Sequence, residues 1–237
     1  MDFKFSFIWE TLPSVLAAVP ITMLLTFFPV IVGAVVGFFL ALVRIRKIPV
    51  FSQLVALYLS FFRSVPTLLL LFIAYFGIPK LLNFTFNGGM RVVSPSSLPS
   101  LASALLVLTL YASAFICEII RGALSSVDMR QMEAAHALGM TKFKTYIRIV
   151  IPQAIIVALP NYFNFVLGML KGSSVVFVIS VMDMMSVAKV AAEDGYRFVE
   201  AYVLVGVMYV IFSVVFSLVF GRVEHWGKMH MGIIVKA

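Results

Sequence analysis

The sequence predicts an all-α, polytopic membrane protein with five transmembrane helices, and three observations carry that prediction. Of the 237 residues, 62% are hydrophobic and only 12% charged, with a mean hydropathy of +1.10. A soluble domain carries about a quarter charged residues, so this chain cannot present a water-facing shell all round. Residues 11–43 contain no charge at all, and at ~1.5 Å per residue such a run exceeds a ~30 Å hydrocarbon core. Further long apolar runs end in basic clusters or in Gly and Pro, which is how membrane spans are punctuated.

The elements follow in order. The start carries Asp2 and Glu10 beside a single Lys4, unlike a cleavable signal, and is expected to stay with the first span. Pro13 and Pro20 divide the apolar run into an interfacial segment over 5–17 and a spanning helix over 21–43, in which Gly33 and Gly37 stand at the spacing that permits close helix approach or simply leaves packing space. Arg44, Arg46 and Lys47 end that span. Residues 48–62 and 64–79 make a second membrane segment bent at Pro66. Residues 83–97 form a loop by their turn chemistry, Asn87-Gly88-Gly89 and Ser94-Pro95. The third span lies within 92–117, and the fourth runs over 149–170 with interruptions near Pro152 and Pro160. A break at Lys171-Gly172-Ser173-Ser174 follows, then an apolar piece to Met182, an amphipathic stretch over 183–197 and a fifth span over 201–221. The tail is mixed and leaves no room for a soluble second domain, so 1–237 is expected to be one transmembrane domain.

Between spans three and four lies the one sizeable segment in which charged residues mix with helix formers. Residues 132–138 favour a short helix, Gly139 permits a chain reversal that a Cβ would resist, and 140–149 restart a helix. Five spans place the termini on opposite sides. With the tail inside, the inner segments hold eleven Lys and Arg and the outer ones five, so this loop faces the cytoplasm with the C-terminus, and the N-terminus lies outside.

Composition also excludes. The net charge of +8 is scattered between apolar runs rather than gathered into a patch, so nucleic acid is a poor partner and membrane lipid the natural one. A lone Cys117 rules out an internal disulfide and a multi-cysteine metal site, and His136, His225 and His230 stand apart. No nucleophile–base set for a membrane enzyme can be assembled, and no Gly-x-x-x-x-Gly-Lys-Ser/Thr phosphate cradle is present.

The loop carries a resemblance. Glu133-Ala134-Ala135, then Gly139 after three residues, then Ile149-x-Ile151-Pro152 after nine, is similar to the cytoplasmic loop of permease subunits of ATP-binding-cassette importers, with Ile151 replacing the usual Leu. Phe62-Arg63-Ser64-Val65-Pro66, Tyr75-Phe76-Gly77-Ile78-Pro79, Glu118-Ile119-Ile120-Arg121-Gly122 and Glu200-Ala201-Tyr202 with Tyr209 extend it to the polar-amino-acid branch over nearly the whole chain. Phe61-Phe62-Arg63 and Ile78-Pro79-Lys80 look most like cystine-type importers. The resemblance implies a type I ATP-binding-cassette importer permease fold with a coupling helix in the loop at about 122–152. It implies ATPase-coupling roles for Glu133, Ala134, Ala135, Gly139, Ile149 and Pro152. It also implies a separate ATPase subunit that binds ATP and Mg, no cofactor in this chain, a second permease subunit of the same or related sequence, an extracytoplasmic solute-binding protein docking on 83–97 and 183–197, and a bacterial cytoplasmic membrane. Two positions depart from the branch: Phe165 stands where Glu is common, and Gly172 where Asp or Asn is usual.

Charge in the bilayer is expensive, from ~3 to above 10 kcal/mol, so Arg63, Glu118 and Lys171 demand partners. Arg63 lies 14 residues beyond Pro49, about 21 Å along a straight helix. It holds a substrate carboxylate if that helix spans directly, and anchors at the boundary if 48–62 lies flat. Glu118 and Arg121 are spaced i,i+3 to neutralise each other, with contact to a substrate ammonium as the alternative. Lys171 with Asn161, Asn164, Ser173 and Ser174 is expected to line a path at the helix break, or Lys171 snorkels to the headgroups. The rival function is a stand-alone ion-coupled transporter, which usually shows duplicated halves; no internal repeat is found.

Overall fold

The computed structural model describes residues 3–80 and 99–230. The described residues form nine helices: α1 Phe5–Ala17, α2 Val19–Ile45, α3 Phe51–Ser64, α4 Thr67–Lys80, α5 Ser100–Ser125, α6 Met129–Ala137, α7 Lys142–Ile179, α8 Met184–Glu193 and α9 Phe198–His230. Four of them, α2, α5, α7 and α9, are long and apolar enough to cross a membrane, and α3 with α4 makes a fifth if the bent pair counts as one span. All-helical architecture is what hydrocarbon demands, because each backbone N–H and C=O must be paired within the chain. The predicted loop at 83–97 lies outside the described residues.

The tightest helix packing among the described residues is between α2 and α5. A Cβ built on Gly33 would stand 2.8 Å from the Ala112 Cβ, and one on Gly37 would stand 2.8 Å from the Ser113 carbonyl oxygen. Of the two readings of this glycine pair, close helix approach is the one the structure adopts. Lipid tails are as apolar as leucine, so the seam is held by van der Waals contact over a close approach rather than by exclusion of water. The main core builds outward from it through Leu25, Val30, Leu70, Leu71, Leu108, Ile116, Val176 and Ile179. A second cluster, with Val15, Met184, Ala188, Ala201, Leu204 and Met208, fastens α1 and α8 to α9.

Several boundaries differ from expectation. Pro13 sits inside α1, whereas Pro20 falls in the first turn of α2, where its missing N–H costs nothing. The fourth span is not interrupted at its prolines. Pro152 occupies the first turn of the regular α segment Ile151–Gly172 and Pro160 is carried within it. The irregularity lies just before Pro152, where Tyr146–Val150 forms a π turn and the Ile151 N–H reaches back to the Tyr146 carbonyl. A proline that cannot donate to the carbonyl four residues back explains why the widened turn falls there. The break predicted at 171–174 is displaced as well: Ser173–Ile179 continues as a 3-10 helix and ends at Ser180 in the left-handed region, φ +60°. The fifth span is longer than 201–221, since α9 absorbs much of the expected tail.

The second span differs most. α3 and α4 meet at 109° across Val65 and Pro66. α3 packs Val55 and Leu59 against Ala41, Ala114 and Cys117, on the C-terminal halves of α2 and α5. The Tyr58 hydroxyl pins it, 2.7 Å from the Leu110 carbonyl and 2.6 Å from Ser113 Oγ. Only α4 turns into the core.

Candidate functional site

The loop predicted to be a helical hairpin is one. Asp128 caps α6 by accepting the Arg130 N–H at 2.9 Å, the role for which a short side-chain carboxylate is suited. At the other end the Met140 N–H donates to the Ala135 carbonyl at 3.0 Å and the Gly139 N–H to the His136 carbonyl at 2.9 Å. This is the six-to-one and five-to-two pattern of a Schellman cap, and Gly139 has the required positive φ of 79°. Thr141 caps the next helix through the Lys144 N–H, and its carbonyl accepts from the buried Thr145 hydroxyl.

One face of this hairpin is fixed to the spans and the other is free. Ala135 is buried and Met132 packs with Ala123, Val127, Val150 and Ala154, which joins α6 to the end of α5 and the start of α7. The amides of Gln131 and Gln153 pair at 2.6 Å, and the Gln153 amide also donates to the Ile149 carbonyl within the π turn. Outward stand Glu133, Ala134 and His136, flanked by large apolar side chains: Met129, Leu138 at 84% exposure and Phe143 at 73%. These apolar groups stand exposed on an otherwise polar hairpin. Ile149 and Pro152 are half-buried at its root.

The membrane charges form a second group. Glu118 Oε2 accepts from Arg121 Nη2 at 2.7 Å and Nε at 3.1 Å, the i,i+3 pair expected. Arg63 Nη1 approaches the same oxygen to 4.0 Å, and its guanidinium lies 5.6 Å from the centre of the Phe115 ring. α3 runs unbroken from Phe51 to Ser64, with Arg63 in its last turn beside α5. Arg63 stands seven residues from the end of α5, at the level of Glu118.

On α7, Asn161, Asn164, Gly168 and Lys171 are all exposed and recur at helical spacing, so they make one polar stripe. Ser173 does not join it: it is fully buried and its hydroxyl donates to the Leu170 carbonyl at 3.1 Å. The Ser174 hydroxyl donates to the Lys171 carbonyl at 2.8 Å. The stripe and the charge group do not touch directly. They are bridged by Phe165, which stacks on Phe115 at 5.5 Å and on Tyr111 at 6.3 Å. Sequence reasoning missed this bridge, although Tyr111 and Phe115 at i,i+4 and Phe165 beside Asn164 were visible signals. It also missed Asp183, completely buried at the cap of α8. Among the described residues no group of His, Cys, Asp and Glu can hold a metal ion.

Comparison with known proteins bears on both groups. Residues 33–226 match the family described as binding-protein-dependent transport system inner membrane component. The chain is 38% identical over 212 residues, 90% of each chain, to YxeN of Bacillus subtilis, described as a probable amino-acid permease. It is 34% identical to TcyL of the same organism, an L-cystine transport system permease, covering 98% of this chain and 95% of that one. The fold superposes with a TM-score of 0.83 and 30% identity on a chain from a crystal structure of an amino acid ATP-binding-cassette transporter with histidines, covering 95% of this chain and 99% of that one. The MetNI methionine transporter in an inward-facing conformation shares the fold alone, with a TM-score of 0.69 and 19% identity over 95% of this chain and 99% of that one.

Proposed function

The chain belongs to the binding-protein-dependent transport system inner membrane components, and from that premise we propose that it is the permease subunit of an ATP-binding-cassette importer for polar amino acids. It is a multi-pass protein of the inner membrane, works with an ATPase subunit and a solute-binding protein, and carries neither a cofactor nor the ATPase site itself. Family membership removes the rival of a stand-alone ion-coupled transporter. Relatives described as cystine, nopaline and octopine permeases, and one described as a probable glutamine permease, support amino acids with polar or charged side chains as the class. Cystine is the first substrate to test.

The single observation that carries the reading is the hairpin of α6, braced on two spans and turning Glu133, Leu138 and Phe143 outward. On this reading it lies in the cytoplasm, the N-terminus lies outside, and Glu133, Ala134, Ala135, Gly139, Ile149 and Pro152 serve coupling. Glu133 and Ala134 meet the ATPase, the buried Ala135 seats the helix, and Gly139 sets its exit. Ile149 and Pro152 shape the π turn through which movement reaches α7. A second permease subunit, identical or related, completes the path. Arg63 and Glu118 on one side, and Asn161, Asn164, Lys171 and the adjoining Ser173 and Ser174 region on the other, are its polar walls, with the aromatic bridge between.

The test is reconstitution with the ATPase and binding-protein partners in nanodiscs, with cystine and a panel of amino acids added. ATPase stimulation by an amino acid, abolished by Glu133→Arg and by Gly139→Pro in protein that still inserts, is the expected result. A chain that neither binds nor stimulates an ATPase overturns it.

A further inference from the structure

The α6 hairpin sits on the end of α5 and the start of α7. At the opposite end of the bundle, where α9 begins, α1 and the turn between α8 and α9 enclose a cleft that transport coupling does not use. Its volume is about 520 Å³, within the range of small-molecule sites, and Lys4, Ser6, Glu10 and Ser14 line one wall while Asp194 and Arg197 line the other.

Rows of side chains four residues apart divide α1 into three faces. Phe7, Thr11 and Val15 turn inward, packed against α8 and α9 or buried beside them. Ser6, Glu10 and Ser14 face the cleft. Phe5 and Trp9, each 71% exposed, stand with the exposed Leu16 on the third face, and Tyr196 is exposed on the opposite wall. A helix with an apolar face beside a polar one lies in the membrane–water boundary, which is also where exposed Trp and Tyr collect. The cleft therefore opens where headgroups are.

Its charges are of both signs and are set apart. The Lys4 N–H and Arg197 Nη1 both donate to Glu200 Oε1, at 3.1 and 3.2 Å, which gathers the two basic residues at the start of α1. That helix begins without a side-chain cap and without an acid in its first turn, so its first N–H groups add to the positive end. Glu10 stands six residues beyond Lys4, ~9 Å along the axis. Neither Glu10 nor Asp194 makes an ion pair among the described residues. A primary ammonium can donate N–H to such carboxylates, whereas a quaternary ammonium has none to give and an anionic headgroup is repelled by them.

We propose that this cleft binds the headgroup of phosphatidylethanolamine, with its phosphate at Lys4 and the start of α1 beside Arg197, its ammonium on Glu10 and Asp194, and its acyl chains along Phe5, Trp9 and Leu16. A free amino acid carries the same two charges but leaves the apolar face of α1 unused. The bound lipid ties α1 to the turn that begins α9. The proposal rests on the membrane placement of the chain, and is independent of the substrate carried and of the coupling role of α6.

Native mass spectrometry of the full chain, released from nanodiscs of equal parts phosphatidylethanolamine, phosphatidylcholine and phosphatidylglycerol, tests it. One phosphatidylethanolamine is expected to stay bound in preference to the other two, and a photoreactive analogue to cross-link within 3–17 and 194–198. Glu10→Gln with Asp194→Asn removes both acceptors of the ammonium and should turn the preference several-fold toward phosphatidylglycerol. No preference in the wild type, the same preference in the double variant, or cross-links confined to other segments overturns the proposal. Displacement of the lipid by a free amino acid also overturns it and assigns a soluble zwitterion. An unchanged lipid preference together with lost stimulation by the solute-binding protein gives the cleft to that protein instead. Should the double variant fail to fold, Glu10→Gln alone, at an exposed position, decides by whether the preference for phosphatidylethanolamine weakens.

Discussion

Replacing Gly37 by Ala adds a single methyl group where α2 passes closest to the backbone of α5 among the described glycines. The new Cβ would lie 2.8 Å from the Ser113 carbonyl oxygen and 3.0 Å from the Cys117 nitrogen, where ordinary contact begins at about 3.4 Å. Both neighbours are backbone atoms of α5, so no side chain can swing aside, and α2 must retreat by about 0.6 Å. Overpacking of this kind costs about 1–3 kcal/mol, against which the better helix propensity of Ala returns about 1 kcal/mol. The net expectation is a loss of about 0–2 kcal/mol, or at most roughly 8 °C in unfolding midpoint for a chain of this size, and a deficit of about 1–3 kcal/mol against a glycine-to-alanine change made where the methyl group has room. Gly168→Ala and Gly206→Ala are the controls, because a Cβ at either meets nothing within 4 Å.

Gly33→Ala meets the same helix one turn earlier, at 2.8 Å from the Ala112 Cβ. One retreat of α2 relieves both contacts, so the double variant should cost less than the two single losses together, a coupling expected of sites that share a partner. Thermal unfolding of the detergent-solubilised chain reads the midpoint. Maleimide labelling of Cys117, the lone cysteine and fully buried beside this seam, reads its opening and should quicken in Gly37→Ala. Equal midpoints for Gly37→Ala and the two controls, or strict additivity of the pair, would refute the reasoning.

Other expectations follow from single contacts. Tyr58→Phe removes the hydroxyl that ties α3 to Leu110 and Ser113, and should lower stability by about 1 kcal/mol in the same unfolding assay. Gly139→Ala places a Cβ at φ +79°, which costs about 1–2 kcal/mol. It should speed hydrogen exchange in α6 and weaken substrate-stimulated ATPase activity while leaving insertion intact. Glu118→Gln removes the charge shared by Arg63 and Arg121, and is expected to reduce uptake by the reconstituted complex without reducing its content of ATPase subunit. For Asp183 the sign follows from a carboxyl raised on folding. Its stabilising contribution is complete below the unfolded-state value near ~3.9 and is lost as pH rises through the folded-state value. The midpoint difference between wild type and Asp183→Asn should therefore shift against the wild type as pH rises from ~3.9.

The sequence made the periodic elements readable and left the irregular ones obscure, for physical reasons. Helices α2, α5 and α9 are apolar over more than a membrane thickness, so composition alone locates them. The Schellman turn at Gly139 was legible because a glycine after a run of helix formers has few other uses. Prolines misled at Pro152 and Pro160, because in a helix packed on neighbours the freed carbonyl is satisfied locally, here by the π turn, and the rod continues. The 109° turn between α3 and α4 was legible only as a bend at Pro66, because its angle is set by packing such as Tyr58 against Leu110 and Ser113, distant in sequence. Asp183 was read as part of a polar amphipathic stretch because its burial comes from α2 and α9, distant in sequence.

The bracing of α6 bears on how a pull on the hairpin would travel. Met132 and Ala135 seat it on residues of both α5 and α7, and the Gln131–Gln153 pair crosses between the same elements. A displacement therefore enters two spans at once, and the hairpin cannot swing on one of them. α5 is rigid where it meets α2, since Gly33 and Gly37 leave no slack. α7 is not: the π turn at Tyr146–Val150 lies between the hairpin and the long α segment, and a widened turn beside a proline is the place where such a helix bends most easily. On the coupling reading the difference in stiffness converts one push into relative motion. α5 with α2, together with the Glu118 group, holds still, while α7 and its polar stripe shift against them across the Phe115–Phe165 stack. On that same proposal the moving surface of the path would be Asn161, Asn164 and Lys171 and its fixed surface Arg63 and Glu118.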